Sequence, residues 1–389
     1  MQWMNCGREF DEIGNDFIGK ELVIYGAGPT GLELYENIRF LGRIAAFVDR
    51  NKGKQIDGID GIPVIPVLEF ARWDRSKYIV VIAVKGNSGV LVHHQLMNMG
   101  FRLGVDCFFW KEFLDYYFPI YGVYACNTLY FPSISFLLTT LCNLNCKGCL
   151  NFTAYNQGKK HYDLSALKNN ADIFFSRIDY VEKFHMSGGE PMLYPGYEEL
   201  LDYIGGKYRG RVHNFYTATN GTVIPGDSLC EKLKQYDVFV EVDDYRSALQ
   251  GGLIKNDIVI EKLRNYGIRY SDRKAGYWLN LDPKGQDNTE FDEASLRNWY
   301  DCCANPFASI HEGMLYSCNY DDYAKEAGLA DKDEQDSLDL SLETDKKKIL
   351  EFRMGYTGRG YTAFCRHCAG HEMTNAKHIT VAEQMRREE

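Results

Sequence analysis

The chain has 389 residues, 45% of them apolar and 25% charged, which is room for two or three domains and too apolar a composition for disorder. Its net charge of −10 disfavours general binding to nucleic acid or to anionic membrane surfaces. The opening residues lack the basic-then-apolar pattern of a secretory signal, and the longest apolar run, 79–84, is far short of a membrane span, so a cytoplasmic protein is expected.

Short β-branched runs at 22–25, 44–48 and 79–84 alternate with helical stretches at 30–41 and 88–99. That alternation predicts a small parallel sheet wrapped by helices, over residues 1–110. Gly26, Gly28 and Gly31 follow the first strand and open a helix, and Asp49 ends the next strand 18 residues after Gly31. This is the context in which a glycine turn holds a dinucleotide, with phosphate at the helix start and the acid on ribose. The stretch 47–49 and 61–64 also resembles the small Rossmann-like domains of sugar acyltransferases. That resemblance implies either recognition of a nucleotide or nucleotide-sugar, or a role in assembly alone.

Aromatic-rich residues 108–131 have no clear period and read as a connector, assigned to 111–132. Residues 134–281 alternate again, with strands expected at 134–138, 181–186, 212–217, 238–242 and 268–270. Asp163 and Asp227 read as helix caps, while Asp257 and Gly267 bracket a further helix. Repeated strand–helix units of this kind suit an open or partial barrel over 133–300, with chemistry at the carboxyl ends of its strands. From residue 291 the rhythm stops. The acid-rich segment 321–345 reads as a solvated excursion, and 341–354 as a helix ended by Gly355.

Twelve cysteines in a reducing compartment point to metal or redox chemistry rather than disulfides. Cys6, Cys107, Cys126 and Cys230 stand singly and read as buried packing. Cys142, Cys146 and Cys149 follow directly on a strand in C-x3-C-x2-C spacing, which random placement produces about once in 100 such chains. Three thiolates on one tight loop can hold an iron–sulfur cluster with one iron left open. Zinc is the competing metal, but a structural zinc wants a fourth ligand, and the nearest following histidine is His161.

These residues resemble the radical S-adenosylmethionine (SAM) enzymes, whose hallmark is the C-x3-C-x2-C loop after the first barrel strand. Gly148 stands where an aromatic residue often precedes the third cysteine. Ser187-Gly188-Gly189-Glu190-Pro191 matches the family's GGEP segment, its glycines allowing the backbone to approach a ligand closely. Thr219-Asn220-Gly221 and Asp243-Asp244-Tyr245 end the third and fourth strands. The resemblance implies an α/β fold with a partial (β/α)6 radical SAM barrel. It also implies a first [4Fe-4S] cluster on Cys142, Cys146 and Cys149, and SAM contacts from Ser187, Gly188, Gly189, Glu190, Thr219, Asn220 and Asp243. Tyr245 falls in the substrate region. In the family, the open iron chelates SAM, an electron from the reduced cluster breaks a sulfonium bond, and the deoxyadenosyl radical removes a hydrogen from substrate.

Cys303, Gly313 and Cys318 give C-x9-G-x4-C, followed by Cys365 and Cys368 as C-x2-C. This resembles the shortened auxiliary-cluster module called twitch, over 301–375, ahead of a tail at 376–389. It implies a second [4Fe-4S] cluster on Cys303, Cys318, Cys365 and Cys368. Pro306 and Phe307 favour Cys303 over Cys302 as the ligand, and four-cysteine zinc is the alternative. Cys302 is then free to act as a hydrogen donor.

The expected activity is oxidation or epimerisation of a small carbohydrate-type substrate, with a nucleotide-linked sugar one form of it. Asp244, Tyr245 and Trp278 resemble radical SAM proteins of polysaccharide synthesis. A flavodoxin or ferredoxin would supply the reducing electron, and neither nucleic acid nor membrane is an expected partner. Two alternatives stand beside this: a peptide-modifying maturase, and a non-enzymatic protein with structural zinc.

Overall fold

A computed structural model describes residues 10–249, 252–303, 305, 307–355, 359–371 and 374–385; Cys6 and Pro306 lie outside the described residues. The chain divides into two compact units, with the boundary in sequence between Tyr130 and Phe131.

The amino-terminal unit contains α1 (Phe10–Asn15), β1 (Glu21–Tyr25), α2 (Pro29–Ile38), β2 (Ile44–Val48), α3 (Lys52–Asp57), β3 (Val64–Ile65), β4 (Tyr78–Ile82), α4 (Gly86–Asn98), β5 (Cys107–Phe109) and α5 (Phe118–Cys126). The strands form one parallel sheet in the doubly wound order β3-β2-β1-β4-β5. Val23, Ala46, Val48, Val80 and Ile82 pack with Phe70, Leu96 and Phe101 in one core. Leu22, Ile24, Ile79 and Val81 are fully buried as well. Strands covered on both faces read as continuous apolar runs, which is why the sequence marks them clearly.

The expected connector is a different object. Residues up to Tyr130 belong to the amino-terminal unit, and α5 is buried over all of 118–123. A helix apolar on every side has no amphipathic period to detect. Phe17 sits among Phe108, Tyr117 and Tyr121 at ring distances of 5.8, 6.4 and 5.9 Å. The Tyr121 hydroxyl donates to the Lys20 carbonyl at 2.9 Å.

The second unit runs β6 (Tyr130–Leu137), α6 (Leu164–Arg177), β7 (Tyr180–Ser187), α7 (Tyr197–Tyr208), β8 (Val212–Thr219), α8 (Asp227–Gln235), β9 (Phe239–Asp243), α9 (Asn256–Asn265) and β10 (Tyr270–Arg273). After these come β11 (Trp278–Leu279), α10 (Glu293–Cys303), β12 (Ala308–His311), β13 (Met314–Tyr316), α11 (Asn319–Glu326), β14 (Ser337–Asp339), α12 (Lys346–Arg353) and β15 (His378–Ile379). The main sheet has the order β10-β9-β8-β7-β6-β12-β13-β14. Among the described residues the strand–helix run supplies five strands, β6 to β10, with β7 to β10 paired in parallel, where six were expected. The segment after β10 is β11, which pairs antiparallel with β15 instead of joining the sheet. The sixth parallel strand is β12, which joins β6 at the opposite edge after the rhythm was expected to stop.

Helix boundaries follow local chemistry. Asp163 caps α6, its carboxylate accepting from the Ala166 N–H at 3.1 Å. Asp227 and Asp257 lie inside the first turns of α8 and α9 rather than capping them, since Gly226 and Lys255 hold the cap positions. Both acids still favour the positive helix ends. The helix expected over 341–354 is confined to α12, capped by Asp345, and Gly355 follows it at φ +78°.

The acid-rich segment is a solvated excursion only in part, with Asp331, Glu334 and Asp345 exposed. Asp321, Asp322 and Asp336 are buried, and the Lys325 ammonium pairs with Asp321 at 2.6 Å and Asp336 at 2.7 Å. Arg359 completes the pairing of Asp336. The two carboxylates also accept from the Phe364 and Ala363 N–H groups at 3.2 Å, so this network fixes the turn that carries Cys365. Composition alone cannot separate solvated acids from paired buried ones. Lys325→Met should therefore cost about 3–5 kcal/mol, because it leaves the buried Asp321 carboxylate without its cation while Asp336 keeps only Arg359. Urea unfolding monitored by circular dichroism measures it, and a loss under 1 kcal/mol would mean that the pairing contributes little. Among the described residues, no helix is long and apolar enough to cross a membrane.

Candidate metal and cofactor site

Chain segments at the carboxyl ends of β6, β7 and β8 meet around the first cysteine loop. Cys142, Cys146 and Cys149 share an apolar pocket with Leu144, Tyr245, Trp278, Val381 and Ala382. Burial pushes the thiols of Cys142 and Cys146 up to about 12, with the neighbouring Cys149 thiol adding to it. Thiolates in such a pocket require a compensating cation, so the donor set suits a metal centre and releases protons on loading. Polar hydrogens already point at sulfur: the Leu144 N–H and the Asn220 amide donate to Cys142 Sγ at 3.4 and 3.6 Å. Among the described residues, no three His, Cys, Asp or Glu side chains form a group able to hold a single metal ion.

The Ser187–Pro191 segment is laced to this loop through its backbone. The Gly189 N–H donates to the Thr139 carbonyl at 2.7 Å, and the Glu190 N–H to the Leu141 carbonyl at 2.8 Å. A Cβ on Gly189 would stand 2.2 Å from the Leu141 oxygen, and one on Gly188 would crowd Thr139. These glycines admit the neighbouring chain at Thr139 and Leu141. Asn151 reaches from beyond the third cysteine to the Ser187 hydroxyl at 3.4 Å and to the Gly188 carbonyl at 2.5 Å.

Glu190 ties β7 to β8. Its carboxylate accepts from the Thr219 hydroxyl at 2.8 Å, the Asn220 N–H at 2.8 Å and the Met192 N–H at 3.1 Å. Burial pushes the carboxyl up to about 7 against these three donors. Glu190 and Thr219 are thus engaged with each other, while Asn220 turns its amide to Cys142 and to Asn143 at 3.0 Å. Asp243 accepts from the Tyr245 hydroxyl at 2.9 Å, and burial lifts it to about 6. Tyr245 packs edge-on against Trp278 with ring centres 5.4 Å apart.

The second cysteine group lies apart from the first in the same unit, with Cys318, Cys365 and Cys368 buried and Cys303 half-buried. Burial raises the thiols of Cys303, Cys318, Cys365 and Cys368, and each of the other three adds to the shift at Cys368. Cys303 Sγ accepts from the His371 N–H at 3.2 Å, Cys318 Sγ from the Asn305 amide at 3.0 Å, and Cys368 Sγ from the Gly370 N–H at 3.3 Å. Cys302 is exposed. Phe152, just past the first loop, packs edge-on against Phe364, the neighbour of Cys365, with ring centres 5.3 Å apart.

In the amino-terminal unit, the glycine turn sits at the carboxyl end of β1, between β2 and β4. Gly26 has φ +112°, and a Cβ on Gly31 would stand 1.9 Å from the Gly26 oxygen. A Cβ on Gly28 would meet nothing within 4 Å. The Asp49 carboxylate accepts from the Ala27 N–H at 2.7 Å and the Asn51 N–H at 2.9 Å, so it braces the turn.

Sequence reasoning missed Asn143, Asn151, Asn288, Asn305 and Gln384. Asn143 and Asn151 flank the cysteines and could have been suspected from that position. Asn288 is buried and donates to the Cys365 and Cys368 carbonyls at 2.9 and 3.0 Å, but it stands 77 and 80 residues from them. Gln384 reaches Cys146 from 238 residues away. No local pattern marks either one.

Residues 136–276 match the sequence model of the Radical SAM superfamily. The chain therefore carries a radical SAM domain, which implies SAM, a [4Fe-4S] cluster and an enzyme of radical chemistry. Among solved structures, similarity extends to BtrN in complex with AdoMet and 2-DOIA, at 16% identity and TM-score 0.41, over 61% of this chain and 92% of that one. It extends also to anSMEcpe with bound AdoMet and the Cp18Cys peptide, at 15% identity and TM-score 0.38, over 61% and 88%. Streptococcus suis SuiB bound to S-adenosylmethionine follows at 16% identity and TM-score 0.30, over 48% and 44%. No curated protein matches the chain in sequence.

Proposed function

We propose that this protein cleaves SAM reductively and oxidises a carbohydrate-type substrate, with a second [4Fe-4S] cluster on Cys303, Cys318, Cys365 and Cys368 as the electron acceptor. The observation that carries this reading is the pair of separate, buried to half-buried cysteine groups, each with N–H donors directed at sulfur. When bound, the first cluster and SAM supply a one-electron cleavage that produces a hydrogen-abstracting radical. The chain's own residues hold and shield that chemistry. Cys142, Cys146 and Cys149 provide the thiolates, while Ser187 and Asp243 stand at the ends of β7 and β9 beside the cysteine loop. Glu190 and Thr219 keep β7 and β8 in register at that site, and Tyr245 and Trp278 exclude water from it.

Oxidation is favoured over epimerisation because an epimerase must return a hydrogen within the dry site, and Cys302 is exposed. A flavodoxin or ferredoxin fits as the reducing partner. The doubly wound sheet supports a nucleotide-sugar as the substrate form, since its glycine turn lies where the strand order reverses. Calorimetry with NAD and UDP-sugars reads that site directly.

The decisive test reconstitutes the protein anaerobically and assays it with SAM, dithionite and a panel of UDP-sugars in deuterated water. About eight irons per chain are expected from the ligand count. The product should be oxidised and carry no solvent deuterium. Stoichiometric zinc in place of four irons would remove the acceptor, and one deuterium per product would make the enzyme an epimerase.

A further inference from the structure

Residues 378–385 return to the first cysteine loop after the last cysteine has been placed. β15 pairs with β11, holding Trp278 opposite Ile379 and Leu279 opposite His378. The rings of Tyr277 and His378 stack with centres 3.8 Å apart. Val381 and Ala382 are buried in the apolar pocket of Cys142, Cys146 and Cys149. Ala382 holds φ +52°, a left-handed conformation uncommon for a residue with a Cβ and sustained here by the surrounding contacts. Beyond it the chain runs along the cysteine loop itself. The Lys147 N–H donates to the Glu383 carbonyl, and the Met385 N–H to the Asn145 carbonyl, both at 2.7 Å. Cys146 and Gln384 face each other in an antiparallel bridge.

The side chain of Gln384 is oriented by its surroundings. Its Oε1 accepts from the Asn145 N–H at 2.8 Å, and a backbone N–H can only donate. The amide NH2 is thereby turned the other way, to the Ala382 carbonyl at 2.7 Å and to Cys146 Sγ at 3.1 Å. Gly148 belongs to the same arrangement: a Cβ there would stand 2.1 Å from the Ile379 Cδ1. The tail thus occupies the space that a side chain before the third cysteine would need.

We propose that residues 378–385 form a fixed strap over the radical cluster site, and that Gln384 is a positioning residue that raises the cluster's reduction potential through its N–H···S contact to Cys146. This rests on the assignment of Cys142, Cys146 and Cys149 as cluster ligands. Reduction adds negative charge that spreads onto the ligating sulfurs. A donor aimed at one of those sulfurs stabilises the reduced form more than the oxidised form. The strap also closes one side of a pocket that must stay dry.

Electron paramagnetic resonance during a redox titration of the anaerobically reconstituted full chain tests the proposal. Gln384→Leu removes the donor while keeping bulk, and the reduced-to-oxidised ratio at fixed potential should fall about tenfold. That corresponds to a midpoint about 59 mV more negative for a one-electron couple. Gln384→Glu places a carboxylate oxygen at the sulfur and should lower the midpoint further. Midpoints equal to wild type in both variants would overturn the role of Gln384. The strap itself is read without iron, by amide hydrogen exchange on the metal-free protein. The Lys147 and Met385 N–H groups should be protected, and exchange at the rate of free chain would overturn it. A wild-type protein that shows this protection but accepts no cluster would instead refute the ligand assignment on which the potential rests.

Discussion

Cys142→Ala, Cys146→Ala and Cys149→Ala should each abolish 5′-deoxyadenosine formation and lose about four irons per chain, as expected for one cluster. Only this set offers three thiolates on one loop, leaving an iron free for SAM. Cys365→Ala and Cys368→Ala should behave differently. They lie in the second buried group with Cys303 and Cys318, and removing one should also lose about four irons. Slow, substrate-independent SAM cleavage should survive in these variants while oxidised product disappears. An oxidation must dispose of a second electron after hydrogen abstraction, and these variants would lack the acceptor proposed for it. Chromatographic quantitation of 5′-deoxyadenosine and product, alongside iron analysis, separates the cases. Normal product formation by Cys365→Ala with its four irons demonstrably missing would defeat the acceptor role.

Much of the architecture was legible because the physics behind it is local. The β-branched runs at β1, β2 and β4 are apolar on both faces, and the Asp163 cap opens a helix with a clear period. The cysteine loop stood out because Cys142, Cys146 and Cys149 lie within eight residues of one another, a pattern local enough for the sequence to show. What escaped was long-range. The helix α5 is buried all round and so carries no period. Asp321 and Asp336 look solvated until Lys325 and Arg359 are seen to pair with them. The strap and Asn288 act across distances that no sequence window spans. At Gly188 and Gly189 the sequence suggested close approach, and the protein's own chain at Thr139 and Leu141 is a group that comes this close.

That last point gives the second large effect. Gly189→Ala should cut SAM cleavage at least about 100-fold, the scale expected when a group near the chemistry is displaced by 1 Å. The added Cβ would stand 2.2 Å from the Leu141 oxygen, 2.5 Å from the Leu141 carbonyl carbon and 2.9 Å from the Cys142 nitrogen. All three are backbone atoms, so no rotamer change relieves the overlap, and the β7 end must move away from the cysteine loop. Moving it breaks the Gly189 and Glu190 N–H bonds to Thr139 and Leu141. It also pulls on Glu190, which holds Thr219 and the Asn220 N–H in place. Overpacking of this kind costs about 1–3 kcal/mol of stability, so the protein should remain folded while its site is displaced. Gly28→Ala provides the control, because φ is −78° there and a Cβ would meet nothing within 4 Å. It should leave SAM cleavage unchanged and cost no more than about 1 kcal/mol of stability, the scale of placing Ala at a helix N-cap. Thermal unfolding and 5′-deoxyadenosine assays on the two variants make the comparison, and a Gly189→Ala protein as active as Gly28→Ala would show that the packing of β7 on the cysteine loop does not govern the chemistry.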